Sequence, residues 1–269
     1  MLEVFSQVLT LGIVEGLTEF LPVSSTGHLI LVGELLRFQG HFVESFDIFI
    51  QLGAILAVIF LYRERFIGLV NFSKGGNAKG SFEGISGLVK LGVACLPAFV
   101  AGLLFYGYIK RELFSPFTVA LALIVGGIVM ILVELFQQKV RVKTIDDISL
   151  GQAFLVGLAQ CLALWPGMSR SACTIVGGMF CGMDRKTAAE FSFLAAVPLM
   201  IVAVLYDLYK SFSSITTDVL WLYGLGFVVS FITAILEVRL FLDLLNRTNL
   251  IPFALYRIAL GIIVVLLIS

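Results

Sequence analysis

Two carboxylates four residues apart, a run of hydroxyls and an imidazole fall within the fourteen residues EGLTEFLPVSSTGH, Glu15 to His28. Glu15 and Glu19 share one face of a helix, where like charges repel. A cation against them relieves the repulsion, and a Mg²⁺-like ion suits, because it commonly takes one or two carboxylates together with substrate phosphate oxygens. The plainer alternative is a helix end that surfaces into water. Pro22 then ends the helix, since proline disfavours helical backbone in the residue before it. Ser24, Ser25 and Thr26 follow, with Gly27 and His28. Capping of the next helix accounts for one hydroxyl but not for three. His28 alone would read equally as a packed or a catalytic histidine; beside two glutamates and two serines, the catalytic reading is the stronger. His41, the other histidine, reads as a solvated loop residue.

A second polar cluster, PGMSRSACT, runs from Pro166 to Thr174. Ser169, Arg170 and Ser171 stand directly before an apolar helical run. Backbone N–H groups at a helix start, joined by an arginine and hydroxyls, make an anion site, and guanidinium meets phosphate oxygens in bidentate fashion. The competing reading is an Arg170 that snorkels to the membrane surface. Arg257 is a further anomaly, about one turn into an apolar helix opened by Pro252. Two arginines, two carboxylates and several hydroxyls point to a phosphate or pyrophosphate ligand with a divalent cation.

These groups must be positioned by a chain that is otherwise oil. Mean hydropathy is +1.06, and 59% of the 269 residues are hydrophobic against 13% charged. A charged side chain at bilayer depth costs roughly 2.5–3.5 kcal/mol on insertion scales, so clusters of this kind mark function. Apolar stretches near 46–61, 88–109, 117–136, 191–205, 219–240 and 252–268 are each about long enough to cross ~30 Å of hydrocarbon. The helical period excludes a β-barrel. The fold class expected is all-α, a polytopic membrane protein forming a single membrane domain. Lys plus Arg equals Asp plus Glu, at 18 each, which leaves no basic surplus for nucleic acid. Cys95, Cys161, Cys173 and Cys181 lie in apolar or small-residue segments without metal-ligand spacing and read as small core residues.

The halves of the chain match in outline, the first about 1–137 and the second about 149–269. The polar clusters correspond at an offset near 145, followed in order by Phe46-Asp47-Ile48-Phe49 against Phe191-Ser192-Phe193-Leu194, and by Ser115-Pro116-Phe117 against Ile251-Pro252-Phe253. Each half then holds one cluster-bearing segment and three spanning helices. An odd number of crossings makes this an inverted-topology repeat, each cluster lying on a re-entrant helical hairpin. Such repeats set the binding site near the midplane, where the halves meet. Placing the loops at 63–90, 137–149, 184–187 and 239–251 in the cytoplasm puts twelve of the 18 Lys and Arg residues inside and four outside, as the positive-inside rule requires.

The strings EGLTEFLPVSSTGH and PGMSRSACT resemble the two signatures of the undecaprenyl-pyrophosphate phosphatase, or bacitracin-resistance, family of bacterial inner membranes. FDIFIQLGAILAV and EFSFLAAVP resemble it as well, and the likeness covers nearly the whole chain. One departure is Ala172, where the family usually carries glycine, which suggests a tighter or shifted turn. The resemblance implies hydrolysis of a C55 polyprenyl pyrophosphate to the monophosphate carrier lipid and inorganic phosphate. It also implies Mg²⁺ or Ca²⁺ dependence, a site open to the outer face, a role in recycling the carrier for cell-wall synthesis, and resistance to bacitracin. Carried over by motif, the functional positions are Glu15, Glu19, Ser24, Ser25, His28, Ser169, Arg170, Ser171, Thr174 and Arg257.

On this reading Glu15 and Glu19 hold the cation or activate the nucleophile, while Arg170, the Ser169–Thr174 helix start and Arg257 hold phosphates. Ser25 is the preferred nucleophile, with metal-bound water nearly as good a candidate, and His28 positions or protonates. A homodimer is compatible with the sequence. The rival reading is a transporter that flips a lipid phosphate, because inverted repeats with re-entrant hairpins also serve transport and fold does not fix function. The other lipid-phosphatase chemistry, which needs a His–Asp pair after its SR motif, is excluded, since no histidine follows Arg170. A purely structural membrane protein gives no reason for Arg170 and Arg257 to lie in apolar helices.

Overall fold

A computed structural model describes residues 2–38, 43–70, 82–136, 139–211 and 220–268. His41 and residues 71–81 of the first charged loop lie outside these. The described residues form eleven α-helices: α1 (Leu2–Thr18), α2 (Ser25–Leu35), α3 (Val43–Leu61), α4 (Arg63–Val70), α5 (Gly84–Tyr108), α6 (Pro116–Leu135), α7 (Leu150–Gln160), α8 (Arg170–Phe180), α9 (Arg185–Ser211), α10 (Leu220–Leu245) and α11 (Ile251–Ile268). Helices are the element this composition demands, because a lipid-facing backbone must satisfy its hydrogen bonds internally.

The architecture is an all-helical, multi-pass membrane fold. By length and composition α5, α6, α9, α10 and α11 can each cross a bilayer. The apolar stretch expected near 46–61 is α3, and it turns through 78° into α4. The expectation of a loop from residue 63 is therefore corrected. Arg63–Val70 is a helix carrying its charge at the N-terminal end (Arg63, Glu64, Arg65) and Ile67 and Val70 among its exposed residues. A charged-then-apolar segment of eight residues is too short to span, but it can lie along an interface with its charges in water. The loop expected at 184–187 is also shorter than anticipated, since Arg185 already opens α9 after a turn at Gly182 with φ +86°.

Packing follows membrane rather than water rules. Large apolar side chains point outward, among them Leu104, Leu240 and Leu267, and glycines bring backbones together where helices cross. A Cβ at Gly53 of α3 would stand 2.4 Å from Phe227 O of α10, and one at Gly16 of α1 would meet Ser230 O of α10 at 2.6 Å. α1 and α3 thus lie on α10, α7 lies on α5, α6 pairs with α11, and α3 meets α9. The two cluster-bearing segments are helical hairpins, α1–α2 and α7–α8. Each has a short second helix of eleven residues.

Four charged segments are tied to one another at one end of the molecule. Arg65 pairs with Asp146 at 3.3 Å, and Asp146 Oδ1 accepts from Phe82 N at 2.8 Å. Asp184 N donates to Val142 O at 3.0 Å. Arg185 forms an ion pair with the buried Glu134, whose other oxygen accepts from Leu250 N at 3.2 Å.

Candidate active site

The hairpins meet tip to tip, and their polar residues surround a cavity of about 290 Å³ lined by Glu19, Ser24, Ser25, Ser169 and Arg170, with Gln51 from α3 and Met200 from α9. Both tips use one backbone device. Ser24 (φ 74°, ψ 94°) and Ser169 (φ 69°, ψ 116°) are N-caps with positive φ, a conformation uncommon for residues other than glycine and found where surrounding structure imposes it. Ser24 Oγ accepts from Gly27 N at 3.3 Å, and Ser169 Oγ accepts from Ala172 N at 3.2 Å. Ala172 therefore sits in the first turn of a regular helix. The tighter or shifted turn expected there is not seen, because α8 has already begun at Arg170.

The centre of the site is a relay of three side chains. Ser25 Oγ donates to Glu19 Oε2 at 2.5 Å, and Arg170 Nη2 donates to Glu19 Oε1 at 3.0 Å. The Glu19–Arg170 pair is largely buried, with side chains 9% and 12% exposed, so removing either partner strands a charge, which typically costs about 3–5 kcal/mol. Arg170 is held further by Ser192 O at 3.3 Å and by the ring of Phe20, 5.4 Å away. A hydroxyl bonded to a carboxylate, with the carboxylate's second oxygen oriented by a cation, is the arrangement of an activated oxygen nucleophile.

The other predicted residues stand around this centre without lining the cavity. Glu15 is fully buried, and among the described residues neither of its oxygens has a hydrogen-bond partner. Asp47 of α3 and Glu19 lie within its electrostatic reach. His28 Nδ1 contacts Ser24 O at 2.7 Å and Nε2 contacts the Tyr256 hydroxyl at 2.6 Å. A carbonyl can only accept, so Nδ1 carries the proton, and in the neutral ring Nε2 accepts from Tyr256. Ser171 donates to Leu21 O at 2.7 Å, stitching the second hairpin to the first, and lies 2.9 Å from Ser169 Oγ. Thr174 Oγ1 lies 2.6 Å from Ser192 Oγ.

Arg257 is fully buried, and its two Nη atoms point at backbone, while Nε has no partner among the described residues. The guanidinium donates to Pro22 O (3.3 Å), Ala122 O (3.4 Å), Gly167 O (2.9 Å) and Met168 O (2.8 Å). These bonds make Arg257 a brace that joins α11 to α6 and to both hairpin tips, outside the lining of the polar cavity. Room for it comes from Gly126, where a Cβ would fall 2.2 Å from Nη2.

Sequence reasoning missed Gln51, Ser192, Tyr256 and Glu237. Glu237 of α10 is buried, has no hydrogen-bond partner for either oxygen among the described residues, and is reached electrostatically by Glu19 and Arg170. Its signal was available, a lone acid in the apolar run ITAILEV, as was that of Gln51, four residues after Asp47. Ser192 carries no such signal.

Residues 8–263 match the family model described as bacitracin resistance protein BacA. The chain belongs to this family. Among curated relatives, an undecaprenyl-diphosphatase of Solidesulfovibrio magneticus is 53% identical over 93% of each chain. One from Oleidesulfovibrio alaskensis is 50% identical over 95% of this chain and 96% of its own, and one from Thermoanaerobacter pseudethanolicus is 46% identical over 100% and 98%. Both polar hairpins fall inside the BacA match, so Glu19, Ser25 and Arg170 occupy the part of the chain that carries the family likeness.

Proposed function

We propose that the chain is an undecaprenyl-diphosphatase, which removes the terminal phosphate of undecaprenyl pyrophosphate in the bacterial plasma membrane and so confers bacitracin resistance. The observation that carries the mechanism is the 2.5 Å Ser25–Glu19 hydrogen bond with Arg170 on the carboxylate's far oxygen. Ser25 Oγ attacks the terminal phosphorus and passes its proton to Glu19. The bond from that phosphorus to the bridging oxygen breaks, and undecaprenyl phosphate leaves with the electron pair. Water then hydrolyses the phosphoserine, releasing inorganic phosphate and restoring the hydroxyl. Arg170, at the edge of the cavity, offsets charge on the transferring group, and such preorganised electrostatics supply most of the rate in phosphoryl transfer. Ser169 and the start of α8 bear on the phosphates from the same side.

Glu15 and Glu19 would hold a divalent cation, Mg²⁺ or Ca²⁺. Held by Glu19 at the cavity and Glu15 behind it, such an ion would supply charge neutralisation for the phosphates. Glu15's buried, unpartnered oxygens support this. Among the described residues no group of three or more His, Cys, Asp or Glu side chains is placed to hold a metal, and two carboxylates completed by substrate phosphate and water is an ordinary Mg²⁺ arrangement. Every group the reaction calls for is on one chain, so a homodimer is not required.

The hairpins and the helices after them form an inverted repeat, 1–137 and 149–269, whose site opens to the outer face. Supporting this, Ser24 and Ser169 share one unusual backbone conformation, and each hairpin packs on the other half, α1 on α10 and α7 on α5. Segments carrying Arg65, Arg141 and Arg185 are linked to one another by ion pairs and backbone bonds. The test is phosphate release from undecaprenyl pyrophosphate by purified protein in detergent, with and without chelator. Release that stops with chelator and returns with Mg²⁺ is expected. A flippase needs two compartments and would release none.

A further inference from the structure

Arg170 and Glu237 are oppositely charged, largely buried and incompletely paired. Glu237 of α10 is 3% exposed, and among the described residues neither of its oxygens meets a donor. A buried acid without a partner is costly, and the chemistry above gives this one no task. Arg170 donates from Nη1 to Ser192 O and from Nη2 to Glu19, while its Nε has no partner among the described residues. Packing brings the two residues together. α1 and α10 run side by side, Gly12 against Val229 and Gly16 against Thr233, and the next step of four sets Phe20 level with Glu237. The Arg170 guanidinium lies over the ring of Phe20. Phe20 meets Phe193 edge to face, and Phe193 neighbours Phe241, one turn beyond Glu237 on α10. Arg170 and Glu19 both lie within electrostatic reach of Glu237.

We propose that Glu237 is a positioning residue, a second acid for Arg170 that takes its guanidinium when Glu19 turns to the divalent cation. This rests on the cation reading above. Glu19 already has both oxygens in use, Oε2 for Ser25 and Oε1 for Arg170. A cation shared with Glu15 needs a Glu19 oxygen, and a guanidinium on that carboxylate both occupies the oxygen and repels the ion. Turned away from Glu19, Arg170 would be a largely buried charge without a partner, which is strongly unfavourable. Two acids within its electrostatic reach are Glu15 and Glu237. Glu15 is the cation's other ligand, and Glu237 is unengaged. The open oxygens of Glu237 complement the open Nε–H of Arg170, with the Ser192 bond of Nη1 as the pivot. The Ser25–Glu19 bond is untouched, because it uses the other oxygen. Arg170 thus has one acid without the cation and another with it, and its charge stays at the cavity in both states.

Cation binding can be followed without turnover, as the unfolding midpoint of purified protein in detergent against Mg²⁺ concentration, with no lipid present. Glu237→Gln removes the charge and keeps the shape. The Mg²⁺ concentration giving half of the stabilisation should rise about tenfold, the usual scale for a group that supports a metal's ligands, because the ion must then displace Arg170 with no acid to receive it. Glu237→Asp keeps a charge and should restore most of the response. The metal-free midpoint of Glu237→Gln should not fall below wild type, since Glu237 has no bond to lose in that state. The Mg²⁺ concentration for half-maximal phosphate release should rise in step. A wild-type Mg²⁺ response in Glu237→Gln overturns the role of Glu237. So does a defect that Glu237→Asp fails to restore, which marks a demand for shape, or a Glu237→Gln protein that cannot be recovered folded, which marks an acid holding the metal-free fold. A wild-type protein whose midpoint and phosphate release both ignore Mg²⁺ and Ca²⁺ instead overturns the cation reading itself.

Discussion

The two hairpin tips have one backbone and two chemistries. Ser24 and Ser169 adopt the same left-handed conformation, each caps a helix of eleven residues, and each turns its chain at a proline two or three positions earlier. The α1–α2 tip nevertheless carries the acids and the candidate nucleophile, and the α7–α8 tip the cation that orients them. The shared part is what a tight helical hairpin needs, namely a sharp turn with its N–H groups satisfied. The divergent part is what phosphoryl transfer needs, opposite charges converging from two sides. A buried charge left alone in either hairpin would be costly, and the Glu19–Arg170 pair joins the two hairpins across the site.

The sharpest way to break this division is through Arg170. Arg170→Lys keeps the charge but loses the fork that reaches Glu19 and Ser192 together; phosphate release should fall at least a hundredfold, measured as kcat/KM. The next largest effect separates the two capping regions. Ser25→Ala should lower kcat about a hundredfold or more with little change in KM, as when an interaction is made only in the transition state. Ser169→Ala, whose hydroxyl is occupied by a cap and by Ser171, should lose about 1 kcal/mol of stability and less than tenfold in rate. A Ser25→Ala enzyme keeping a tenth or more of wild-type kcat would sink the serine nucleophile and leave an activated water.

Two smaller effects bear on the shared backbone. Gly126→Ala should crowd the Arg257 guanidinium, destabilising by about 1–3 kcal/mol as overpacking does, which thermal unfolding in detergent would register. Ser24→Gly and Ser169→Gly each lose a cap bond and relieve a left-handed backbone. Their unfolding midpoints should stay near wild type. A large drop in one but not the other would show that the tips are not equivalent devices.

Much of this site was legible as charge out of place. Glu15, Glu19, Arg170 and Arg257 stand out in or beside apolar helices because hydrocarbon makes an idle charge costly. What such a charge touches was less legible. Arg257 read as a phosphate ligand, since only the folded chain reveals four backbone carbonyls converging on it. Ser192 is a small hydroxyl among phenylalanines, and nothing local distinguishes it from a packed serine. The α3–α4 bend was hidden for another reason: charges at 63–65 read as a loop whether the chain stops there or turns along a surface.

Arg257 has a further consequence for biogenesis. The carbonyls it gathers belong to residues 22, 122, 167 and 168, all made before α11. Chains emerge from the ribosome N-terminus first, so the tip carbonyls of Pro22, Gly167 and Met168 are made well before the side chain that gathers them. A polypeptide halted before α11 would contain Glu19, Ser25 and Arg170 but lack the side chain that joins their two hairpins. The two tips thus acquire their shared brace only once translation has delivered α11.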